Sequence, residues 1–201
     1  MTGIYKVMVW ITNLAYLQIL WILFSLLGLV VFGVFPATVS VFYIIRRWLR
    51  RDGDVPIFQS FWQTYKKEFV RINILGIILS IIGIILYFDM KFFEFDGAIS
   101  GIGLIIILFA IYMYIGTLIF FFPVYVQFNF KLLDYIKYSF LYSVSSPWIT
   151  ILIMLATTAV LFIFYKIPGL SFFFFISLIG FLWMWGAYSV FERKRRNSEI
   201  V

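Results

Sequence analysis

Five apolar runs, at residues 13–35, 72–88, 100–122, 148–165 and 170–191, limit what this chain can fold into more than any other feature. Crossing the hydrocarbon core as a helix takes about 20 largely apolar residues, and open strands would leave backbone groups unpaired there. None of the runs has the alternating pattern of a barrel strand. The chain is therefore read as all-α, a polytopic helical membrane protein with about five transmembrane helices and amphipathic helices on the cytoplasmic side. Only 12% of its 201 residues are charged, against about 25% in an ordinary globular protein. No polar segment is long enough to fold separately, so residues 1–201 are taken as a single integral membrane domain. A count of four or six spans is the main competitor, through the stretch around Pro36.

Loops rich in lysine and arginine stay in the cytoplasm. Arg46, Arg47, Arg50, Arg51, Lys66, Lys67, Arg71, Lys131, Lys137, Arg193, Lys194, Arg195 and Arg196 fall on one side of a five-span arrangement. Lys6, Lys91 and Lys166 fall on the other. The expected protein is a multi-pass protein of the cell membrane with its N-terminus outside and its C-terminus cytoplasmic. Its opening residues, MTGIYKVMVWITN, carry neither a basic cluster nor a small-residue cleavage site, so the first apolar run is expected to be retained as a span.

The stretch FGVFPATVSVFYIIRRWLRRDGDVPIFQSFWQTYKKEF, residues 32–69, gathers dense charge beside dense aromatics. A straight helix from residue 13 to residue 51 would be about twice the hydrocarbon thickness. Pro36, which removes a backbone donor and crowds the preceding turn, is the expected kink. Beyond it Val41, Ile44, Ile45, Trp48 and Leu49 share one helical face, and Arg46, Arg47 and Arg50 share another. After Gly53 and Pro56 break the helix, Phe58, Phe61, Trp62, Tyr65 and Phe69 recur on one face, opposite Gln59, Ser60, Gln63 and Lys67. Such segments suit the inner membrane surface, with rings at headgroup depth and cations toward phosphates. The candidate docking or lipid-anchoring residues are Arg46, Arg47, Arg50, Arg51, Phe61, Trp62, Tyr65, Lys66 and Lys67. Their expected partners are anionic inner-leaflet lipids and a membrane protein such as a sugar-importer permease. Because the positive charge coincides with membrane-adjacent helices, lipid accounts for it and nucleic acid does not.

The segments LQILWILFSL, GVFPATVSVFYIIRRWLRRD, FQSFWQTYKKEF and RINILGIILS together resemble the YesL family of bacterial integral membrane proteins. The resemblance covers roughly the first ninety residues. It implies no catalytic residues, since that family has no established activity. It implies a setting, because YesL-like genes tend to lie among those for carbohydrate ABC importers, solute-binding proteins and glycoside hydrolases in Gram-positive bacteria. RDGDVPIFQSF has a glycine but not the acidic-Ala-Ala lead-in by which ABC permeases meet their ATPase.

Chemistry is sparsely provided. With no cysteine and no histidine, disulfides, thiolate nucleophiles, imidazole bases and the usual zinc ligands are excluded. No metal or cofactor is expected, and the chain is read as not an enzyme. No ionisable residue falls within the core of a run, which argues against proton or sodium coupling. Ser25, Ser80, Thr117, Thr157, Thr158 and Ser177 are expected to bond their own helix backbones. On the outer side, Glu94 and Asp96, interleaved with Phe92, Phe93 and Phe95, are a candidate sugar contact. The function expected is that of a non-enzymatic membrane accessory or scaffold protein associated with carbohydrate ABC import. The alternative is a small stand-alone transporter or lipid-handling membrane protein.

Overall fold

The computed structural model describes residues 3–52, 54–95 and 101–199, and these are almost wholly helical. The helices are α1 (Gly3–Leu27), α2 (Val34–Arg50), α3 (Ile57–Phe95), α4 (Gly101–Gln127), α5 (Asp134–Ser145), α6 (Pro147–Lys166) and α7 (Pro168–Glu199). Five of them, all but α2 and α5, are long and apolar enough to cross a membrane. α6 and α7 each open on a proline, whose missing N–H and fixed φ suit the first helical turn and permit a break as short as Ile167 between them.

The chain turns back before Pro36, which corrects the expected kink. Gly28 and Gly33 lie so close that a methyl group on either would collide with the other strand of the turn. Leu29 and Val30 take the left-handed conformation, with φ of 57° and 62°, an uncommon state for a branched residue. Pro36 then falls in the first turn of α2, where proline disturbs little. α1 and α2 form an antiparallel hairpin: the Trp10 and Trp48 ring centroids are 5.6 Å apart, and Trp21 Nε1 donates to Thr38 Oγ1 at 3.0 Å. α1 thus begins on the side where α2 ends. The expectation of chain ends on opposite faces rested on the lysine and arginine count, with the first run bent only at Pro36, whereas the chain here turns back at residues 28–33.

α2 is also not an amphipathic helix with a free face. Residues 36–42, 44 and 45 are buried, enclosed by α1, α3, α4 and α7. Its apolar positions meet Leu17, Leu20 and Phe24 of α1, Phe61 and Tyr65 of α3, and Met184 of α7 in one core cluster. A second cluster joins Ile72 and Leu75 of α3, Phe120, Phe121 and Val124 of α4, Tyr135 of α5 and Val190 of α7. Lipid competes for apolar side chains as well as protein does, so close packing and small residues decide where helices meet. Gly76 receives the Phe35 ring of α2, and Gly83 receives the Tyr114 hydroxyl of α4.

Neutral polar groups fasten these contacts. The buried Gln18 of α1 accepts from the backbone amides of Ile176 and Ser177 in α7, at 2.9 and 3.2 Å. Asn73 Nδ2 donates to the carbonyls of Phe32 and Phe69, holding the α1–α2 turn against α3. Thr117, Thr157, Thr158 and Ser177 bond their own helix carbonyls as expected, while the buried Ser25 hydroxyl has no hydrogen-bond partner among the described residues. Thr157 has a second use, accepting from Trp183 Nε1 at 2.9 Å and so joining α6 to α7.

Candidate functional site

Helix direction brings the basic loops to one end. α3 runs antiparallel to α2, with Gly76 against Phe35 and Ser60 near Arg47. α4 returns beside α3, where Tyr114 OH donates to the Leu79 carbonyl and Tyr125 OH to Glu68 Oε2. α7 ends beside α5, with Lys194 Nζ donating to Ser145 Oγ at 2.7 Å. The C-terminal ends of α2, α4 and α7 and the N-terminal end of α3 therefore share one face.

The first turns of α3 sort the predicted aromatic strip into two groups. Phe61 is fully buried, its ring 5.0 Å from that of Phe24. Tyr65 is buried too and donates to the Phe24 carbonyl at 3.0 Å. Neither ring is offered to a partner, contrary to expectation, because α1 folds back onto α3 and covers that side. Phe58 at 54% exposure and Trp62 at 38% remain open, and Lys66 Nζ sits 4.6 Å above the Trp62 ring, a cation–π contact that fixes a charge beside an apolar surface.

The arginines divide likewise. Arg46 Nε donates to Gln127 Oε1 at 2.7 Å and ties α2 to α4. Arg50 lies 3.8 Å from Asp52 in an exposed pair of small energetic weight. Arg51 closes α2 in the left-handed conformation, its amide reaching the Trp48 carbonyl. Arg47, half-buried, meets only the Ser60 hydroxyl among the described residues, at 3.5 Å. It faces a cavity of about 620 Å³ enclosed by α2, α3, the end of α4 and the start of α5.

That cavity gathers charged and polar side chains from α2, α3, α4 and α5. Arg47, Lys67 and Arg71 line it with Glu68, Tyr43, Gln63, Tyr125, Asn129 and Tyr135. Tyr125 OH holds Glu68 at 2.6 Å, and Lys67 Nζ stands 3.8 Å from the same carboxylate. The Arg71 guanidinium lies 5.1 Å from the Tyr135 ring centroid and donates to the Phe130 carbonyl. Three cations face one carboxylate, all carried on helices rather than loops: Arg47 on α2 and Arg71 on α3 are half-buried, and Lys67 on α3 is exposed. Residue spacing placed Arg47 and Lys67 on separate helices without joining them, and Glu68, Arg71, Tyr125 and Tyr135 were missed. Glu68 gave a faint signal, an acid within a stretch, positions 46–71, that holds seven cations. On the opposite side, Glu94 falls in the last turn of α3, and Asp96 lies outside the described residues.

Five apolar crossing-length helices, packed by small and neutral polar residues and charged at one end, define a polytopic helical membrane protein. The chain belongs to the YesL-like family of unknown function. Residues 14–90 match the family described as "Protein of unknown function, DUF624". Over 94% of its length it is 37% identical to YteU of Bacillus subtilis (strain 168), covering 85% of that protein. YesV of the same organism is 35% identical over 91% of this chain and 88% of its own length. YesL is 35% identical over 76% and 72% respectively. Each of the three is described as an uncharacterized protein. No solved structure matches the chain.

Proposed function

We propose that this protein is a non-enzymatic accessory component of the cell membrane that holds a membrane partner at its basic end, which faces the cytoplasm. The observation that carries this reading is the exposed Phe58–Trp62–Lys66 patch, large rings left uncovered beside a positioned cation. Aromatic residues of this kind commonly anchor protein interfaces, and the surrounding positive charge favours an acidic counterpart. The setting implied by the YesL resemblance points to the permease of a carbohydrate importer as that partner. On this reading the N-terminal end of α1, beside Trp48 and Arg51, also faces the cytoplasm, and Lys6 joins the positive side. Only Lys91 and Lys166 then remain outside, a sharper asymmetry than five simple crossings give.

The test is co-purification in mild detergent at matched expression. Lys66→Glu and Phe58→Ser should each lower recovery of the permease at least tenfold, whereas Lys131→Glu, on the same face outside the patch, should leave it unchanged. Full recovery with both patch variants would remove the docking role. The lipid-handling alternative is favoured by a different observation, the basic cavity on the other face of α3.

A further inference from the structure

We infer that the cavity between α2, α3, α4 and the start of α5 is a binding site for a phosphate ester. This goes beyond the docking role and does not depend on it. Cavities of about 300–1,000 Å³ commonly hold small molecules, and at about 620 Å³ this one is of that size.

Its charge selects an anion. Arg47, Lys67 and Arg71 contribute three positive charges, Glu68 one negative, and Glu68 is already engaged by Tyr125 and Lys67. Two positive charges are left in excess. Arg47 spends one long contact on Ser60 and keeps the rest of its five donors, in the planar fork that suits phosphate oxygens. Lys67 can reach the same anion as a flexible point charge, its side chain being 81% exposed.

Its shape selects an ester over a bare ion. Val39, Tyr43, Val126 and Phe128 form an apolar wall beside the cations, so the esterified portion has a surface to rest on while Ser60, Gln63, Thr64 and Asn129 supply neutral hydrogen-bonding groups. Arg71 is the positioning residue. Its hold on the Phe130 carbonyl and its stacking on Tyr135 keep the 128–135 segment in place as the fourth wall. Two sources share this chemistry, the headgroup of an anionic phospholipid and a soluble phosphate monoester.

Full-length protein in nanodiscs separates them. One arm titrates phosphatidylglycerol into phosphatidylcholine discs, and the other adds glycerol 3-phosphate to discs of phosphatidylcholine alone. The readout in both is the thermal midpoint, with retained lipid identified by native mass spectrometry. A ligand present at 100 times its Kd raises stability by about 2.7 kcal/mol, enough for a visible shift. A rise with phosphatidylglycerol only assigns the lipid headgroup, and a rise with glycerol 3-phosphate assigns the soluble ester. In whichever arm responds, Arg47→Gln and Lys67→Gln should each weaken binding at least tenfold, while Lys131→Gln, equal in charge change but outside the cavity, should bind as the parent does. A response in neither arm overturns the site, and so does equal weakening by all three variants, which would mean general attraction to a basic surface.

Discussion

Phe61 and Trp62 are neighbours with opposite fates, and the reason sets the limit of what periodicity can tell. Both fit the helical repeat of the aromatic strip, which says that they share a broad face but not what covers it. Phe24 and the turn at residues 28–33 bury Phe61 and Tyr65, whereas Trp62, although its ring lies 5.4 Å from that of Phe24, stays 38% exposed. Phe61→Ala should therefore cost about 3–5 kcal/mol through cavity formation, read as a lower denaturation midpoint in detergent, with Trp62→Ala costing distinctly less. Equal losses would mean that Trp62 is as much a core residue as Phe61. The Tyr125–Glu68 bond gives a second residue-scale expectation. Tyr125→Phe removes the one neutral donor, among the described residues, to a largely buried carboxylate and should lower stability by about 1.5–3 kcal/mol. An unchanged midpoint would show that Lys67 alone satisfies Glu68.

At the scale of elements, α3, α4, α6 and α7 were legible because long apolar runs leave few alternatives to a spanning helix. The α1–α2 hairpin was not. Gly28 and Gly33 are ordinary residues in an apolar run, while Pro36 is conspicuous and drew the expected bend to itself. What makes the reversal is the approach of the two glycines together with the left-handed conformation at Leu29 and Val30, a tertiary outcome with no strong local signature. For a branched side chain that conformation costs roughly 1–2 kcal/mol relative to the right-handed one. Val30 is half exposed and packs little, so Val30→Gly should raise the midpoint by a gain of about 1 kcal/mol. A lowered midpoint would contradict the turn as described. A second reversal, between α2 and α3, hid the cavity, since Arg47 joins Lys67 and Arg71 only once those two helices lie antiparallel.

For the molecule as a whole, fold and charge argue for one working face. The basic ends of α2, α3 and α7 converge with the end of α4, the exposed Phe58 and Trp62 lie at that face, and the cavity of about 620 Å³ opens there. The hairpin adds the start of α1 to that face, whereas the charge count had set Lys6 and the N-terminus on the other side. Thiol labelling of intact cells tests this arrangement most directly, using single cysteines at Tyr5, Gly169 and Arg193. Tyr5 and Arg193 are exposed, and Gly169 has open space around it in the first turn of α7, so each variant should fold. An impermeant reagent should label Gly169→Cys and leave Tyr5→Cys and Arg193→Cys protected until the cells are opened. Labelling of Tyr5→Cys together with Gly169→Cys in intact cells would contradict the shared face.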